Sequence, residues 1–180
     1  RWLVRARLGA DRADRRLLVL RLDRARHIGG REPHRRESRG IEPNAHRIVA
    51  GAKDGDVADA VDAGFSMIIN NRPEDESADQ TPGSEIAAAA AAAGLEYVAI
   101  PVTHAGFAEW QVTAMADALD KGDGKVLAYC RSGTRSTFLW ALARASRGAH
   151  PATLAEKASD AGYDLAPVTA MMDMLRGRAS

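Results

Sequence analysis

Apolar residues fall along this chain in two rhythms. Three short runs suit strands buried on both faces: Phe65–Asn70 with Met67-Ile68-Ile69 at its centre, Leu95–Val102, and residues 125–129 with Val126-Leu127-Ala128-Tyr129. Arg47–Gly51 reads as a further short strand. Between the strands the spacing turns helical. Val57, Ala60 and Val61 predict a helix over Asp56–Ala63, which Gly64 ends as a left-handed cap. Ser84 is positioned to cap an alanine-rich helix that runs to Ala93 and stops at Gly94. A third helix is expected over Ala108–Lys121 and a fourth from Ser136 through Ala143. Helices over 152–161 and 167–177 complete the chain, the last with Val168, Met171, Met172 and Leu175 at i, i+3, i+4 and i+7, a stripe suited to core packing. Asn71–Gly83 is too rich in Pro, Asp and Glu to be anything but loop, and Thr103–Gly106 is loop as well.

This alternation predicts an α/β fold with a central, mostly parallel sheet and helices on both faces. In such sheets sites form at the carboxyl ends of the strands. The loops after Asn70, Val102 and Tyr129 share that edge, so Arg72, His104 and Cys130 can meet there although they are far apart in sequence.

The 180 residues are about the size of one domain. The net charge of +1 hides an asymmetry. Residues 1–40 hold thirteen Arg, no Lys and five acidic residues, so they carry +8 and the remainder carries −7. A basic arm of this kind can bind nucleic acid. Its lack of lysine and of apolar periodicity favours a plainer reading: a disordered or loosely helical arm, upstream reading frame or truncated leader, and not a nucleic-acid-binding element. Leu17–Leu20 after Arg15-Arg16 has the look of a twin-arginine signal, but Arg21 interrupts it and no small-residue cleavage site follows. Residues 41–178 are expected to form the folded domain. No apolar run approaches the ~20 residues of a membrane span. The single cysteine excludes an intrachain disulfide framework and suits a reducing, cytoplasmic setting. It also excludes a multi-thiolate zinc site. The five histidines show no ligand spacing, so neither a metal nor an organic cofactor is implied.

That one cysteine stands where chemistry would put it. A free cysteine taken alone is often a small buried hydrophobe. Here it opens the loop Cys130-Arg131-Ser132-Gly133-Thr134-Arg135 between an apolar strand and a helix start. Backbone N–H groups of such a loop converge on its centre, and the helix dipole adds positive potential there. With two arginines nearby, the expected result is a solvent-open anion cradle around a thiolate. A structural cysteine has no use for Arg131, Gly133 and Arg135 in so short a loop.

With that loop placed, the chain resembles the cysteine-dependent phosphatase superfold, and most of all the phosphatase-like domain family of beta-lactamase hydrolase-like proteins. The resemblance covers roughly residues 41–175. It is carried by Ala63-Gly64-Phe65, Ile68-Ile69-Asn70-Asn71-Arg72-Pro73, Ser84-Glu85-Ile86, Ala93-Gly94-Leu95-Glu96-Tyr97-Val98-Ala99-Ile100-Pro101-Val102 and Ala128-Tyr129-Cys130-Arg131-Ser132-Gly133-Thr134-Arg135-Ser136. It implies a hydrolase in which Cys130 attacks a phosphate ester and forms a cysteinyl-phosphate. Backbone N–H groups from Arg131, Ser132, Gly133, Thr134 and Arg135 would hold the equatorial oxygens, and Arg135 would clamp two of them. Gly133 lets the loop turn without blocking the anion. Ser136 would donate to the sulfur as it leaves, His104 would stand where a general acid is expected, and Arg72 would attract the small anionic substrate.

Two departures keep a second chemistry open. Four residues intervene between Cys130 and Arg135, where dual-specificity phosphatases have five, and Tyr129 stands in place of their histidine. Rhodanese-type sulfurtransferases use a shorter loop, some members of the resembled family carry that label, and sulfur transfer through a Cys130 persulfide needs no general acid. A third possibility is a non-catalytic anion-binding or redox-sensing module.

Overall fold

The structure, a computed structural model, describes residues 17–19, 46–50, 54–122 and 124–179. Within them one sheet is built from β1 (Leu17–Val19), β2 (His46–Ala50), β3 (Phe65–Asn70), β4 (Glu96–Ala99) and β5 (Lys125–Cys130). The order across it is β1-β2-β5-β3-β4, and every neighbouring pair is parallel. Parallel neighbours need crossovers, and helices supply them. Here α1 (Asp54–Asp62) joins β2 to β3, α2 (Gly83–Ala92) joins β3 to β4, and α3 (Glu109–Lys121) joins β4 to β5. Then come α4 (Thr134–Ser146), α5 (Pro151–Asp160), a 3-10 turn at Ala166–Val168 and α6 (Thr169–Arg178).

The sheet is covered on both faces, which explains its unbroken apolar strands. Met67, Ile69, Val126 and Ala128 pack with Met115, Leu119, Leu139, Trp140, Leu142 and Met172 from α3, α4 and α6. On the opposite face Phe65, Ile68, Leu127 and Tyr129 pack with Val57, Ile86 and Ala90 from α1 and α2. Met172, from the methionine stripe of α6, is fully buried in the first of these clusters.

The structure differs from the sequence reading at three places, and at two of them the physical cause is visible. Ser84 lies inside α2 and makes no cap; the Gly83 N–H is instead held by both Glu74 carboxylate oxygens at 3.1 Å, a negative charge at a helix start. Leu95–Val102 is regular strand only over Glu96–Ala99, yet the chain stays extended beyond it, because the Ile100 and Val102 N–H groups reach the Asn70 and Asn71 carbonyls at 2.8 and 3.0 Å. Inside the basic arm, Leu17–Val19 runs parallel to β2 where no strand was expected. The rest of residues 1–40 lies outside the described residues, so the expected disorder of the arm is not addressed there. Among the described residues no helix is long and apolar enough to cross a membrane.

Candidate active site

Cys130 is the last residue of the central strand. Arg131, Ser132 and Gly133 alone connect β5 to α4, so Thr134 and Arg135 belong to the first turn of the helix. The turn is possible because Gly133 takes φ +86°, a left-handed conformation natural to glycine. That conformation aims the Gly133 N–H at Cys130 Sγ, 3.1 Å away. The loop is anchored from both sides: Thr137 Oγ1 donates to the Gly133 carbonyl at 2.9 Å, and Tyr163 Oη donates to the Ser132 carbonyl at 3.0 Å. Ser132 Oγ and Thr134 Oγ1 lie 3.1 Å apart. Arg131 and Ser132 are exposed.

Cys130 itself is 0% exposed, which corrects the expectation of a solvent-open bowl. Its backbone still pairs with Ala50 in the sheet, and the short loop folds its own N–H over the sulfur. Ser136 is also fully buried, and among the described residues its Oγ has no partner, so the expected donation to the sulfur is not formed. The Gly133 N–H holds that place.

Arg135 is where the sheet-edge loops converge. Its Nη1 donates to the Val102 carbonyl at 2.7 Å, and its Nη2 pairs with Glu76 Oε1 at 2.5 Å. The other Glu76 oxygen accepts from Arg72 Nε at 2.8 Å, and Arg72 Nη2 donates to Ser77 Oγ at 2.6 Å. One carboxylate therefore bridges two guanidiniums, and all three side chains are under 20% exposed, at 11, 14 and 17% for Arg72, Glu76 and Arg135. Burial pushes the Glu76 carboxyl up, but the hydrogen bonds and charges of Arg72 and Arg135 outweigh it and hold the group below its ordinary range. Glu76 is an anion.

The loops after β3 and β4 thus meet the first turn of α4, where Arg72 and Arg135 share Glu76 and Arg135 also holds the Val102 carbonyl. Of the three residues expected to meet, only Arg72 enters this network; among the described residues no hydrogen bond or ion pair joins Cys130 to it. His104 is not joined to it either. It sits exposed in a turn two residues past Val102, and among the described residues no hydrogen bond or ion pair engages it. Tyr129 projects to the opposite sheet face, where burial and then the nearby Tyr97 hydroxyl push its phenol up. No cluster of three or more His, Cys, Asp or Glu able to hold a metal occurs among the described residues.

Sequence reasoning missed Glu76 and Tyr163. The signal for Glu76 was present in Arg72-Pro73-Glu74-Asp75-Glu76, an arginine followed by three acids at the carboxyl edge of a sheet. Tyr163 gave none, because its contact spans 31 positions.

A family model described as "Beta-lactamase hydrolase-like protein, phosphatase-like domain" matches residues 45–147. A beta-lactamase hydrolase-like protein from Agrobacterium fabrum is 32% identical over 111 residues, 61% of this chain and 26% of that protein. The chain therefore spans about a quarter of that relative's length. Among solved structures, a candidate phosphatase from Neisseria meningitidis is 28% identical, with a TM-score of 0.64 over 73% of this chain and 93% of the other. A cysteine-to-serine form of TpbA from P. aeruginosa, in complex with phosphotyrosine, is 15% identical with a TM-score of 0.52, covering 72% and 82% of the two chains, and shares the fold.

Proposed function

Since the chain belongs to the phosphatase-like domain family of beta-lactamase hydrolase-like proteins and has the cysteine-phosphatase fold, we propose that it hydrolyses a small phosphate ester through Cys130. The observation that supports this reading best is the arrangement at the carboxyl end of β5. The thiol ends β5, the Gly133 N–H closes the three-residue connection after it, and the Arg135 guanidinium comes from the helix turn that follows. A nucleophile, an oxyanion donor and a bidentate clamp in one place suit phosphoryl transfer, in which positioning and charge stabilisation do most of the work.

The Cys130 thiolate attacks phosphorus in line, an S–P bond forms, and the ester oxygen leaves with its electron pair and takes a proton from an acid. His104, exposed in the turn that follows Val102, is our candidate for that acid. Water then attacks the cysteinyl-phosphate, releases inorganic phosphate and returns the thiolate. Because Gly133 covers the sulfur, substrate must draw its N–H off Sγ and onto an equatorial oxygen, a rotation that glycine permits. Arg131, Ser132 and Thr134 contribute backbone donors to the same oxygens.

One observation favours a second reading, sulfur transfer through a Cys130 persulfide: only three residues separate β5 from α4, a tight ring better matched to one sulfur than to a phosphoryl group. Assay with a chromogenic aryl phosphate and, separately, with thiosulfate plus cyanide tells the two apart. Aryl phosphate turnover that Cys130→Ser abolishes is the expected result. Thiocyanate formation without phosphate release would replace the first reading by the second, and turnover unaffected by Cys130→Ser would remove both.

A further inference from the structure

We propose that Glu76 is a positioning residue for Arg135: its carboxylate and the Val102 carbonyl hold the guanidinium so that one edge stays free for an oxyanion. This rests on the phosphatase reading for its kinetic consequence but not for anion binding itself.

A guanidinium has five N–H donors in a rigid plane. In Arg135, Nη1 is engaged by Val102 and Nη2 by Glu76, while Nε makes no hydrogen bond among the described residues. The Nε–H and a remaining Nη N–H can therefore present the paired donors that bidentate oxyanion recognition needs. Neither partner acts by touching the anion. Each acts by removing rotamers in which the fork points elsewhere.

Glu76 is built to stay where it is. Arg72 Nε fixes its second oxygen at 2.8 Å. Its own backbone N–H donates to Gln80 Oε1 at 3.2 Å, and Gln80 Nε2 returns to the Pro73 carbonyl at 2.9 Å. Ser77 accepts from Arg72 and donates to Asp79 at 2.8 Å. The residue just before it, Asp75, has φ +58°, the one non-glycine residue with positive φ among the described residues. A strained residue in a loop laced by its own side chains is what holding one carboxylate at a fixed point requires. Arg72 acts in the same assembly. Its charge is spent on Glu76, so we assign it to holding the bracket and not to capturing substrate.

The test is a double-mutant cycle on the full chain with two readouts. Calorimetry gives the Kd of inorganic phosphate in the Cys130→Ser background, and aryl phosphate turnover gives kcat/KM with Cys130 intact. Glu76→Gln should weaken phosphate about tenfold and lower kcat/KM by roughly 10- to 100-fold, the range expected for a misaligned catalytic group. With Arg135→Ala already present, Glu76→Gln should change either readout less than twofold. The Arg135 Nε–H should give the NMR relaxation of a fixed side chain, turning mobile in Glu76→Gln, while Arg147, paired with Asp117 and Asp120, stays unchanged. Where Glu76→Gln does not fold, Arg72→Gln/Glu76→Gln removes one charge of each sign and carries the same comparison. Equal losses with and without Arg135, or no loss, would overturn the proposal. If the chain binds phosphate in a Glu76-dependent way but turns over no aryl phosphate, the phosphatase reading falls and the positioning role stands.

Discussion

Gly133 donates its backbone N–H to Cys130 Sγ across 3.1 Å, from a backbone φ of +86°. Geometry and chemistry are linked at this residue. An L side chain at Gly133 must either accept left-handed strain, about 1–2 kcal/mol, or let the peptide swing away from the sulfur. Gly133→Ala is expected to cost about 1 kcal/mol of stability by urea denaturation. Turnover should fall much further, about 100-fold, because the donors aimed at the anion move together. A variant that loses stability but keeps turnover within twofold would show that the loop's left-handed turn has no part in the chemistry.

Glu76 couples the site to pH through stability. Its folded-state pKa lies below the ordinary carboxylate value, so the folded protein prefers the carboxylate. That contribution is fully present above the unfolded value and is lost as pH falls through the folded one. Glu76→Gln lacks the charge at every pH. The stability gap between wild type and Glu76→Gln, about 2 kcal/mol near neutrality for two charge-assisted hydrogen bonds, should therefore close as pH drops below 4.5. Denaturant titrations from pH 7 to pH 3 measure it, and a gap independent of pH would contradict the ionised bridge.

Ser136 separates folding from catalysis. Its Oγ is buried and has no hydrogen-bond partner among the described residues. Leaving a polar group unsatisfied costs about 1–3 kcal/mol, and alanine is the better helix former. Ser136→Ala should leave stability unchanged or raise it by about 1 kcal/mol. If Ser136 swings to the sulfur when the cysteinyl-phosphate breaks down, the same variant should show a burst of phenol release followed by slow turnover. Faster unfolding together with ordinary turnover would reverse both halves of this expectation.

The parts of this molecule legible in sequence are those set by local pattern. Met67-Ile68-Ile69 and Val126-Leu127-Ala128 announce doubly covered strands because each face of the sheet demands an apolar residue. The Cys130 loop is legible because its chemistry is contiguous. Ser84 misled because a serine before an apolar run is a good cap only if no better anion arrives, and Glu74 arrives from nine positions upstream. The burial of Cys130 was illegible for a related reason. Sequence places the thiol at a strand end, but only the conformation of Gly133 decides whether the loop opens above the sulfur or closes on it. Glu76 lay in a stretch read simply as polar, since nothing in its spacing tells which acid of Glu74, Asp75 and Glu76 will face Arg135.

Tyr163 extends the same lesson to the connection between α5 and α6. Its Oη reaches the Ser132 carbonyl at 3.0 Å, while its ring packs against the larger core cluster. The ring secures burial and the hydroxyl secures the loop, so Tyr163→Phe isolates the second role. It should cost about 1 kcal/mol, the net worth of one hydrogen bond. Its more telling effect concerns the thiol, which is fully buried with the Gly133 N–H on its sulfur. Alkylation of Cys130 by iodoacetamide at fixed pH should run several-fold faster in Tyr163→Phe than in wild type, by about the fivefold that 1 kcal/mol allows if opening limits access. Inorganic phosphate bound over the loop should slow both. Equal alkylation rates in the two proteins would mean that the tyrosine fastens a part of the loop that does not cover the sulfur.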